Sequence, residues 1–158
     1  LLFSDYKSAE EWIVKCADDS ILSKEVLIEE YISHFAEYVE NGSDLFSGEN
    51  IPTKKRNNAL LTFLEPFAKE DEKVLLYHDS TLFGGGSSGF AIGVNRVSWK
   101  GVSSGVEEIT WHGFKKAYVK DFYVVFGDNR EMGVIVGNNA MAPAICHLIR
   151  NLHRLAIR

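Results

Sequence analysis

Apolar positions over residues 23–40 recur with helical spacing. Leu27, Ile28, Tyr31, Ile32, Phe35, Tyr38 and Val39 form two adjacent stripes of i, i+4, i+7 type, with Ser23 as a cap and Asn41-Gly42 as a stop. Upstream, Ser8 and Glu11 have capping-box spacing ahead of Trp12, Ile13, Val14 and Cys16, which predicts a short helix over 9–17. Downstream, Leu60, Leu61, Phe63 and Leu64 lie between Thr53 and Pro66 and predict a helix over 54–65. Residues 41–53 gather turn formers and read as a linker.

From Lys73 the period changes to two. Segments 74–78, 89–94, 97–100, 108–111, 117–119, 122–126 and 132–136 read as short strands. Asn95-Arg96 predicts a two-residue hairpin turn with Asn95 at positive φ, and Gly127 to Arg130 a second turn. Strands this close, with no helices between them, pair antiparallel rather than as βαβ units. A last helix begins between Asn139 and Pro143, with a core stripe of Ile145, Leu148, Ile149, Leu152, Leu155 and Ala156; Arg150, Arg154 and Arg158 recur on another face. The expected class is α+β: helices over 1–70, then a small antiparallel barrel over 71–158 whose open end the last helix closes.

Composition removes several function classes. The chain has 158 residues, 46% of them hydrophobic, enough to build a core without metal or disulfide staples. Its apolar runs fall short of the roughly 18 residues that span a bilayer, and its start does not read as a secretory signal, so a cytoplasmic location is expected. Cys16 and Cys146 read as two buried thiols, and no Cys/His cluster has ligand spacing; neither metal nor cofactor is expected. The formal charge of −5 is uneven: residues 1–50 hold 12 acids against 3 lysines, a net of −9, and the remainder 10 acids against 14 Lys and Arg, a net of +4. An acidic first third repels phosphate, which argues against a nucleic-acid partner.

Leu76-Tyr77-His78-Asp79-Ser80-Thr81-Leu82-Phe83-Gly84, then Gly89-Phe90-Ala91-Ile92, then Val97-Ser98-Trp99-Lys100, resembles a bacterial family of the pleckstrin-homology (PH) superfold. Its members carry an Asp-x-Thr-aliphatic-Phe-Gly turn, a Gly-Phe-Ala strand and a Trp-Lys strand end. The resemblance covers residues 72–157 and implies a PH-like barrel acting as a non-enzymatic binding or scaffolding module. The loop from Asp79 to Gly89 has no basic residue, which speaks against phosphoinositide binding there and makes membrane lipid a poor partner. Arg96, Lys100, Lys115 and Lys116 could gather into a modest basic patch, with Trp99 as an adjoining aromatic; a weak lipid-headgroup site is the alternative use of that patch.

Other constellations read as structural. Residues 84–89 are glycine-rich, but a phosphate loop needs a following Lys-Ser/Thr and a helix, and a strand follows here. His78 and Asp79 are neighbours on a strand and point to opposite faces, and Asp79 fits an Asx-type cap of the turn through Thr81. An alternative class, a small hydrolase or transferase, would use His78, Asp79 and His112 at the barrel rim. His147 and His153, six apart on a helix, do not share a face. The double stripe on residues 27–39 is wider than one packing surface needs. Tyr31, Phe35 and Tyr38 are therefore candidates for a partner helix or a homo-oligomer contact, unless the helix packs against both the first helix and the barrel. The leading expectation is a protein partner.

Overall fold

The computed structural model describes residues 11, 15, 23–39, 45–81, 85–101, 104–134 and 141–157, without the side chains of 37–39. Glu11 and Lys15 are helical and exposed; the rest of the expected first helix, with Cys16, and the strand end at 135–136 lie outside these residues. The element order is α1 (Lys24–Val39), β1 (Leu45–Ser47), a 3-10 turn (Gly48–Asn50), α2 (Thr53–Leu60), α3 (Glu65–Lys69), β2 (Val74–Asp79), β3 (Gly89–Gly93), β4 (Arg96–Lys100), β5 (Val106–Thr110), a second 3-10 turn (Trp111–Gly113), β6 (Ala117–Lys120), β7 (Tyr123–Phe126), β8 (Glu131–Gly133) and α4 (Met141–Ala156). The chain is α+β, and its strands form two antiparallel sheets, ordered β1-β2-β3-β4-β5 and β6-β7-β8.

Strand β2 is buried along its whole length because the larger sheet is covered on both faces. Leu76, Phe90, Ile92 and Val97 point into a main core shared with α1, α4 and the smaller sheet. Tyr77 and Ala91 point the other way, into a second cluster with Ala59, Phe63, Leu64 and Phe67. A register shift between Val74 and Leu76 turns Leu75 as well as Leu76 toward the main core, as a bulge does. Ser98, buried in β4, donates to the Phe63 carbonyl and ties the turn after α2 to the sheet.

Three expectations change. Residues 41–53 are no plain linker: 45–47 form an edge strand on β2, with Phe46 opposite Tyr77. The helix expected over 54–65 is two, since the chain turns at 61–64 and Pro66 opens α3 where its missing N–H costs nothing. The β3–β4 turn sits at Val94-Asn95, one residue earlier than expected, because Ile92 pairs with Val97; Asn95 is not among the described non-glycine residues at positive φ, which are Asp71, Asp121 and Asn129. No helix among the described residues is long and apolar enough to cross a membrane.

Candidate interaction surface

Most residues singled out from sequence are engaged inside the fold. Trp99 is 3% exposed, stacks on Phe126 at 4.9 Å between centroids and donates Nε1 to the Glu131 carbonyl at 3.1 Å, so it joins the two sheets. Arg96 sits between Glu72 (3.1 Å) and Glu108 (2.8 Å). Burial disfavours its charge, but the two carboxylates outweigh that and raise its pKa. Lys100 Nζ donates to the carbonyl of Gly101 at 3.0 Å. Lys115 and Lys116 are exposed and share the lip of a cavity of about 120 Å³ with Phe126 and Asp128. Tyr31 and Phe35 are buried in the chain's own main core, where α1 meets α4, β1 and β2; the side chain of Tyr38 lies outside the described residues.

His78 and Asp79 do point to opposite faces. The His78 ring is fully buried and lies 5.0 Å from the Phe90 ring in the main core. Asp79 turns toward α2, where its Oδ2 takes the Lys55 ammonium and its Oδ1 accepts from the Thr81 amide at 2.9 Å. Burial alone would raise its pKa, but the hydrogen bonds from Lys55 and Thr81 prevail and hold it below the ordinary carboxylate range. Asn58 Nδ2 donates to the Gly85 carbonyl at 2.5 Å, and Gly86, at φ 77°, lies so close to Lys55 that a Cβ would come within 2.8 Å of its Cα. The glycine-rich loop is thus seated on α2. Sequence reasoning missed Lys55 and Asn58, since nothing in the linear pattern links α2 to this loop. His112 is exposed on the second 3-10 turn, beside a cavity that Lys24 and Ala156 also line.

A groove of about 530 Å³ runs between α1 and β2 and is edged by Glu29, Glu30 and Glu49. Among the described residues, no group of three His, Cys, Asp or Glu could hold a metal ion.

Among the described residues, β6 and its hairpin carry several exposed apolar side chains, although Ala117 at the start of the strand is buried against α4. Tyr118 (43% exposed), Phe122 (47% exposed) and Tyr123 are exposed there, and Val119 is exposed in part on the opposite face of the strand. Strand β6 is also an edge. The Ala117 carbonyl turns away from β7 and accepts from Arg150 Nε of α4 at 3.0 Å, while its cross-strand partner Phe126 donates its amide to Arg130 on the other side. Ala117 and Phe126 therefore share no hydrogen bond with each other, and the alternation of an antiparallel ladder makes Val119 and Val124 the next such pair. Val119 accordingly aims both its N–H and its C=O outward, and no described residue bonds to either. Helix α4 runs antiparallel to this edge: His153 packs on Phe114 at 4.6 Å and Arg150 reaches Ala117.

No family model, curated protein or solved structure matches the chain.

Proposed function

We propose that this chain is a non-enzymatic protein-interaction module of PH-like architecture, located in the cytoplasm, which receives a partner segment along the outer edge of β6. The observation that carries the reading is the outward-facing, unpartnered backbone of Val119 flanked by exposed Tyr118 and Phe122. An edge strand with free amides and carbonyls is a template for one more strand, and adjacent apolar side chains supply contact area. The PH-like part of the reading is supported by the run of antiparallel strands ending in an amphipathic helix, and by the Asp79–Thr81 turn that the resemblance includes. A buried free thiol at Cys146 fits a reducing compartment.

Photo-crosslinking tests it. A benzophenone side chain placed at Tyr118 or Phe122 should yield a discrete adduct in native lysate, whereas the same probe at Leu61, exposed on the far side of the larger sheet, should not. Identical adducts from all three positions, or none from the first two, would refute the reading.

A further inference from the structure

We propose that the partner segment is an extended acidic strand in which carboxylates alternate with apolar residues. The inference rests on the reading of β6 as the receiving edge.

Successive side chains of a strand face opposite ways. Tyr118 and Lys120, with Lys116 just before the strand, therefore line the outer face, while Ala117 and the partly exposed Val119 share the face of Phe126 and Val124, which lie in the main core. A strand laid beside this edge meets lysine, tyrosine and lysine on one face and apolar groups on the other. Lys115, Lys116 and Lys120 are all exposed, and none has a carboxylate within ion-pair distance among the described residues. Arg150 adds a further cation at the start of the same edge. Opposite charges across a strand pair attract and like charges destabilise it, so a basic segment is disfavoured. A second copy of this chain is disfavoured for the same reason, since it would bring its own Lys116 and Lys120 to the contact. Acidic side chains on the outer face, with apolar ones between them, satisfy both faces at once.

The test is selection by the intact folded chain from a displayed library of random peptides about ten residues long. The expected result is enrichment of peptides alternating Asp or Glu with apolar residues. Their binding should fall about tenfold with Lys116→Glu/Lys120→Glu and be lost with Val119→Pro, which removes only an outward N–H and so spares the ladder. Circular dichroism checks that each variant folds, and the lysine double variant keeps the test valid if the proline variant does not. Enriched peptides that are neutral or basic yet still lost with Val119→Pro would overturn the acidic partner and leave the edge standing. No enrichment, or enrichment indifferent to Val119→Pro, would overturn both. Concentration-dependent dimerisation abolished by Val119→Pro would give the edge to a second copy and overturn the proposal.

Discussion

Asn151 of α4 donates Nδ2 to the Tyr31 hydroxyl of α1 at 3.1 Å, with both residues 1% exposed. This pair fastens α1 to α4 across 120 residues of sequence. Removing one partner strands buried polar atoms, whereas replacing both with apolar groups of similar shape does not. Tyr31→Phe and Asn151→Leu should each lower stability by about 1–3 kcal/mol. The double variant should lose less than the two single losses added together. Urea-melt midpoints of the four proteins complete the cycle.

The Lys55–Asp79 pair makes stability depend on acid. Asp79 has a carboxyl pKa depressed in the folded state, so its contribution is fully present above the unfolded value near 4 and is lost as pH falls through the lower folded value. The stability difference between wild type and Asp79→Asn should therefore shrink as pH is lowered from about 5 to about 2. Lys55→Ala at neutral pH leaves the fully buried carboxylate without its cation, at a cost of about 3 kcal/mol. Denaturant melts across that pH range check both expectations; parallel curves for wild type and Asp79→Asn would deny the pair its role.

Seating of the glycine-rich loop rests on Gly86. Its φ of 77° strains any L side chain, and a Cβ there would also meet the Lys55 backbone and the Tyr77 hydroxyl. Gly86→Ala should cost at least about 1–2 kcal/mol and lift the loop from α2. Loss of the Asn58 contact to Gly85 should appear as faster proteolytic cleavage between residues 80 and 88.

Periodicity made the α+β class, the positions of most strands and the α4 core stripe legible, because each buries one continuous face. The Asx turn at Asp79 was legible too, since it is local. Edge strand β1 was hidden, because three residues are too few to show alternation and its pairing with β2 is set by tertiary contact. The helical layer on the far face of the larger sheet explains why β2 shows no polar face, a feature that a half-buried strand would have displayed. Of the candidate site, Lys115 and Lys116 were legible as charges. The exposure of Tyr118 and Phe122 and the outward backbone of Val119 depend on which strand ends a sheet, which no local pattern encodes.

Trp99 separates a joint from a binding platform. Its ring fills the space between the sheets against Phe126, Arg130 stacks its guanidinium 5.5 Å above the ring, and Nε1 closes onto Glu131 of β8. Trp99→Phe keeps part of the stacking and loses the hydrogen bond, which should cost about 1–2 kcal/mol; Trp99→Ala should cost about 3–5 kcal/mol through the cavity it opens. Because the ring does not reach the surface, peptides bound at β6 should keep their affinity in Trp99→Phe, measured by fluorescence anisotropy well below the unfolding transition. Reduced affinity at unchanged stability would instead place the ring in the contact and move the binding surface from β6 toward β4.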